Sequence, residues 1–230
     1  MKNPFIYYRK LVQFIYLKIN KKNRLELKKN ARQYLLKVSP MNNENMSPLE
    51  AAACYKLNLL TSKSIVKIAE EWLIDGLMSP TVAILAGETS PIMSDVGPLF
   101  EMCLKELDVQ CQGDDISTRV ALKVYLKRIV NGDVTPFDGM LFIDDKIYHP
   151  KSQHSRPYYN FNNPNSSYSV KYFGEDLGLQ YMYAWFTELL DADDDDMRLY
   201  YKDLPKIEAV KKIETHLMEE AVKLLNKINS

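Results

Sequence analysis

Long hydrophobic runs are missing from this 230-residue chain. No apolar stretch reaches the roughly 18 to 20 residues that a helix needs to cross a bilayer. Cysteine is scarce: Cys54, Cys103 and Cys111 are the only three, and no two of them form a Cys-x-x-Cys pair. That excludes a disulfide framework and a zinc ribbon, and it points to a reducing, cytoplasmic setting. Glycine is scarce as well. None of the eight glycines is arranged as GxGxxG or GxxxxGK, so no phosphate-cradling loop is present. Neither a GxSxG elbow nor an HExxH zinc helix occurs. What is there is a globular composition, with 46% apolar and 26% charged residues.

The formal net charge is zero, yet it is unevenly spread. Residues 1–40 carry eleven Lys or Arg and one acid, Glu26, giving +10; the rest of the chain carries −10. Such a split implies an interaction, within the chain or with a partner. Three occupants suit the basic arm, whose cations interleave with Tyr7, Tyr8, Phe14, Tyr16 and Tyr34. They are the chain's own acidic body, a nucleic acid whose phosphates and bases the arm would contact, and an anionic bilayer surface. The stretch from Phe5 to Ile19 lacks the unbroken apolar core and A-x-A site of a secretory signal. A helical pair through Leu36 is expected, followed by a linker from Val38 to Pro48.

Beyond Ser47 the helix punctuation is regular. Ser47-Pro48 opens a helix through about Leu60. A helix from Ser62 or Ser64 places Ile65, Ile68, Ala69, Trp72, Leu73 and Leu77 on one face, and Asp75-Gly76 stops it. Ser79-Pro80 opens a short helix that Gly87 ends. Ser94 or Asp95 opens the next, with Pro98 in its first turn. Ser117 opens a helix to Val130, and Asn131-Gly132 closes it before Thr135-Pro136 starts another. Asp75-Gly76-x-x-Ser79-Pro80 thus recurs 56 residues later as Asn131-Gly132-x-x-Thr135-Pro136. Residues 149–174 form a long irregular loop rich in asparagine and aromatic rings, with a short strand or hairpin expected near 140–173. Leu177 to Leu190 then makes an apolar helix, and Pro205 opens a last one to about Ile228 carrying Ile207, Val210, Ile213, Leu217, Ala221, Leu224 and Leu225.

Few residues offer chemistry. His149 and His154, just after Asp144-Asp145, are residue types that ligate divalent metals, but they sit in a loop where spacing fixes no geometry. Asp138 with Asp144-Asp145-Lys146 has the D…(D/E)-x-K order of restriction-like nucleases, which hold Mg²⁺ on adjoining strands; the strand pattern is missing. The run Asp191 to Asp196 lacks the order of a calcium-binding EF-hand loop. It reads either as a solvated connection or as an acidic docking surface.

Glu71-Trp72-Leu73-x-x-Gly76-x-x-Ser79, Leu85-Ala86-Gly87, Phe100-x-x-Cys103-Leu104-x-x-Leu107, Ile129-x-x-Gly132 with Pro136, and Leu177-Gly178-Leu179 are helix-core and capping residues. Together they resemble small helical bacterial proteins that look like immunity proteins of polymorphic toxin systems, over about residues 48–200. The basic arm has no counterpart there. The resemblance implies a non-enzymatic binder of a cognate protein, such as a basic toxin domain, and carries over no catalytic residue and no cofactor.

The expected protein is therefore mainly all-α. A basic arm over 1–40 precedes an orthogonal multi-helix bundle over 47–230, interrupted by the loop 149–174. Its expected partner surface comprises Asp191, Asp193, Asp194, Asp195 and Asp196 with Tyr158, Tyr159, Tyr168 and Tyr172, since tyrosine buries much area at small entropic cost. Docking to a membrane surface or nucleic acid through residues 1–40 is the alternative, and a metal-dependent nuclease-like enzyme the remote one.

Overall fold

The computed structural model describes residues 46–110, 113–148, 177–192 and 200–230. The basic arm, Cys111 and the loop 149–174 lie outside these residues. Among the described residues the protein is all-helical. In chain order the helices are α1 (Pro48–Lys56), α2 (Ser62–Ile74), α3 (Pro80–Ala86), α4 (Met93–Glu106), α5 (Asp114–Asn131) and α6 (Pro136–Phe142). A π-helical segment (Ile143–Tyr148), α7 (Leu179–Leu190) and α8 (Lys206–Asn229) complete the order. Residues 140–148 are thus helical, not the start of a strand.

Capping chemistry sets most boundaries. The Ser47 hydroxyl accepts from the Glu50 amide while the Glu50 carboxylate accepts from the Ser47 amide, a reciprocal capping box ahead of Pro48. Lys127 Nζ donates to the same carboxylate at 2.6 Å, pinning α1 to α5. Burial pushes the Glu50 carboxyl up, but the Lys127 ammonium and the two Ser47 donors outweigh it and hold the group below its ordinary value.

α1 ends four residues before the expected Leu60, because Asn58 takes a left-handed conformation (φ 56°) that asparagine tolerates and that breaks the helical ladder. α4 starts at Met93 after Ile92, with no side-chain cap, so Pro98 lies in its second turn instead of its first. α5 begins at Asp114, three residues before Ser117; Asp114 and Asp115 in its first turn suit the positive end of the helix dipole. Gly87 closes α3 in a right-handed conformation (φ −84°), so no left-handed residue is needed there.

The recurrence is reproduced atom for atom at the turns. Gly76 and Gly132 are both left-handed (φ 82° and 79°). Their amides donate to Leu73 and Ile129, and the next amides, of Leu77 and Asp133, reach back to Trp72 and Arg128. This is one Schellman closure used twice. Ser79 and Thr135 then cap the following seven-residue helices through the amides of Val82 and Asp138. The packing differs, however. α3 lies on α2 and α4, whereas α6 lies on α5, α7, α8 and the π-helical segment. The same capping chemistry serves two environments.

The core is one continuous cluster with two aromatic centres. Trp72 stacks on Phe100 at 5.9 Å, with Tyr55 tilted against Phe100 at 5.1 Å, which joins α1, α2 and α4. Tyr125 stacks on Phe142 at 4.0 Å, which joins α5 to α6. Burying each such ring stabilises the fold by about 2 to 3 kcal/mol. α5 runs through the middle, touching α1, α6, α8 and the π-helical segment. On α8 the expected face is buried at Ile213, Leu217, Ala221 and Leu224, but Ile207, in its first turn, stands 72% exposed.

Candidate functional site

α7 and α8 pack together, and at one end of their interface a set of rings fixes the roots of the acidic segment. The Trp185 indole lies face to face with the His216 imidazole, centroids 4.3 Å apart and planes within 19°. The Tyr201 hydroxyl hydrogen-bonds His216 Nε2, and His216 Nδ1 faces Glu219 Oε2 at 3.3 Å. Lys212 Nζ stands 5.1 Å from the centroid of the Tyr201 ring, a cation–π distance. Tyr200 tilts against Trp185 at 5.1 Å.

Tyr201 takes a left-handed conformation (φ 56°), unusual for a bulky side chain, and the ring contacts hold it there. The backbone closes the same junction. The Tyr200 amide donates to the buried carboxylate of Glu188 at 2.7 Å, and the Asp191 amide caps α7 through Thr187 O at 3.0 Å. Ala192 is buried, and the Tyr200 backbone is held by the Glu188 hydrogen bond.

Of the expected partner-binding residues, Asp191 is described, half-buried at the α7 C-cap. Asp193, Asp194, Asp195, Asp196, Tyr158, Tyr159, Tyr168 and Tyr172 lie outside the described residues. The structure adds an exposed tyrosine at the same end, Tyr200 (51%), while Tyr181 (44%) stands in the first turn of α7, at its other end. Sequence reasoning passed over them and over the Trp185–His216 stack. A tryptophan and a histidine on sequential apolar helices were the available signal, but which helix faces meet is a property of the packing.

The nuclease-like residues are otherwise engaged. Asp138 Oδ2 accepts from the Thr135 hydroxyl at 2.8 Å, closing the α6 N-terminus. Asp144 Oδ1 accepts from the Tyr183 hydroxyl at 3.1 Å, tying the π-helical segment to α7, and Lys146 pairs with Asp145 at 2.9 Å. These residues sit on a helix and a π-turn, not on adjoining strands. Among the described residues no three His, Cys, Asp or Glu side chains are grouped to hold a metal ion. His149 and His154 lie outside them.

Cys54 and Cys103 are buried thiols. Burial pushes Cys54 up to about 12, reinforced by the Glu50 charge and opposed by Arg128. Cys103 is pushed up to about 11 by burial and the Glu106 charge. Neither carries the thiolate that nucleophilic chemistry needs near neutral pH.

A second acidic surface emerges from α2 to α4. Between residues 70 and 108 stand Glu70, Glu71, Asp75, Glu88, Asp95, Glu101, Glu106 and Asp108 against Lys105 alone, a net charge of −7. Glu70, Glu71 and Asp75 belong to α2 and its C-cap, Asp95, Glu101 and Glu106 to α4, and Glu88 and Asp108 to the turns after α3 and α4, so these carboxylates form no run in the sequence. Apolar side chains lie exposed among them: Ile74 (83%), Leu77 and Met78 (81%) at the α2–α3 turn, then Ile84 on α3 and Met102 on α4. The Thr81 amide and hydroxyl both donate to the Glu106 carboxylate, so the start of α3 meets the end of α4. Ile84 and Met102 follow one turn along each helix.

No helix among the described residues is long and apolar enough to cross a membrane. Comparison with protein-family models, with curated proteins and with solved structures gave no match.

Proposed function

We propose that this chain is a protein-binding module of the immunity type, which masks a basic partner through the acidic end of the α7–α8 pair. The observation that carries this reading is the clamped base of the acidic segment. Ring stacking across Trp185, His216 and Tyr201, with the Glu188–Tyr200 hydrogen bond, holds both of its ends. Fixing the ends reduces the ordering entropy lost on binding. Carboxylates at high density accelerate encounter with a cationic surface and make the complex salt-sensitive. Tyr200 supplies amphipathic contact area beside the charges.

The test is purification of the tagged chain from its own host across a salt gradient, wild type beside a variant with Asp193, Asp194, Asp195 and Asp196 changed to Asn. One stoichiometric basic protein is expected to elute as salt rises and to be lost from the variant. If that partner arrests growth when expressed alone, co-expression of the wild-type chain rescues growth and the variant does not. Recovery of lipid or nucleic acid alone, abolished by removing residues 1–40, would replace this reading with docking through the basic arm.

A further inference from the structure

The acidic, apolar surface of α2, α3 and α4 is not needed by the proposed partner contact at α7–α8, yet it leaves Ile74, Leu77, Met78, Ile84 and Met102 in water. Methionine and isoleucine rimmed by carboxylates are the chemistry that receives a basic amphipathic segment: flexible thioethers adapt to its apolar side, and the rim meets its cations. We infer that this surface is the seat of the chain's own N-terminal segment, residues 1–40.

Charge matches first. The segment carries +10 and the surface −7 over residues 70–108. Apolar character matches next. Residues 5–19 are dense in Phe, Ile, Leu and Tyr, so this stretch has an apolar side to bury as well as cations to pair. The point of attachment is the third argument. The indole N–H of Trp72 donates to the Met46 carbonyl at 2.7 Å, so the described chain begins against the core-facing side of α2. Residues 41–45 span at most about 17 Å when extended, more than the diameter of one helix. The seat satisfies the cations of the arm and covers apolar area that would otherwise invite association.

Zero-length carbodiimide crosslinking of the full chain tests this, with a mixture of isotopically light and heavy protein and mass-spectrometric mapping. The expected result is isopeptide links from Lys18, Lys21, Lys22, Lys28 or Lys29 to carboxylates between residues 70 and 108, within single chains. In the double variant Ile74→Asp, Met78→Asp these links are lost, while circular dichroism is unchanged because both side chains are exposed. In the variant with Asn at 193–196 they persist, which separates this inference from the proposed partner contact. Links from the same lysines to Asp191–Asp196, links only between light and heavy chains, links that survive the double variant, or no links to residues 70–108 would each overturn it.

Discussion

Replacing Trp72 by Phe tests the account of the core and of the chain's entry into it. Trp72 is 2% exposed, stacks on Phe100 and donates its indole N–H to the Met46 carbonyl at 2.7 Å. Phenylalanine keeps a ring in the slot but removes the donor. The Met46 carbonyl, itself buried, is left without it, at a cost of about 1 to 3 kcal/mol. The smaller ring also leaves a void worth about another 1 kcal/mol. A loss of roughly 2 to 4 kcal/mol lowers Tm by about 5 to 15 °C in a protein of this size. Thermal and urea unfolding of W72F beside W185F measures the difference. Trp185 is only partly buried, packed against the core beside a half-exposed His216, so its replacement should cost less than that of Trp72. Each variant retains one tryptophan, so fluorescence reports the two regions separately. Equal Tm values for W72F and wild type, or a larger loss in W185F, would refute this reasoning.

Four further predictions rest on local geometry. Gly132→Ala forces a methyl-bearing residue to φ 79° and should destabilise by about 1 to 2 kcal/mol. Gly87→Ala, at φ −84° with nothing nearer than 3.6 Å, should be neutral or stabilising by up to about 1 kcal/mol in the same denaturation assay. Cys54 and Cys103 should resist alkylation at neutral pH in the folded protein and label fully in urea, read site by site by mass spectrometry; rapid native labelling of either would contradict their burial. Glu50 is held below its ordinary value of 4.5, so its contribution is complete above that pH and disappears as pH falls through the lowered folded value. Glu50→Gln should therefore cost stability at pH 7 and flatten the acid limb of the stability–pH curve below 4.5; an unchanged limb would count against the Lys127 and Ser47 contacts.

Helix existence was legible because the stops and starts are local chemistry. Ser47-Pro48, Ser79-Pro80 and Thr135-Pro136 each cap a helix as their sequence implies, and Gly76 and Gly132 take the left-handed turns that their positions require. The starts of α4 and α5 were misplaced because Ile92 and Gly113 cap without a side-chain hydrogen bond, and such caps leave no signature. Ile207 was placed in the core because it shares the α8 periodicity, yet it stands exposed in the first turn of α8. Asp191 was visible as part of a run. The Trp185–His216–Tyr201 stack and the −7 surface were not, since both are assembled from separate helices.

The central claim, that an acidic surface held at the α7–α8 end binds a basic protein, is tested most directly by calorimetric titration of the captured partner. Titrations run at several salt concentrations, with wild type and the variant bearing Asn at 193–196. The account predicts tight wild-type binding that weakens steeply with salt. In the variant it predicts affinity at least about tenfold lower, or 1.4 kcal/mol, with a shallower salt dependence. Equal affinity and equal salt dependence for the two proteins would contradict it.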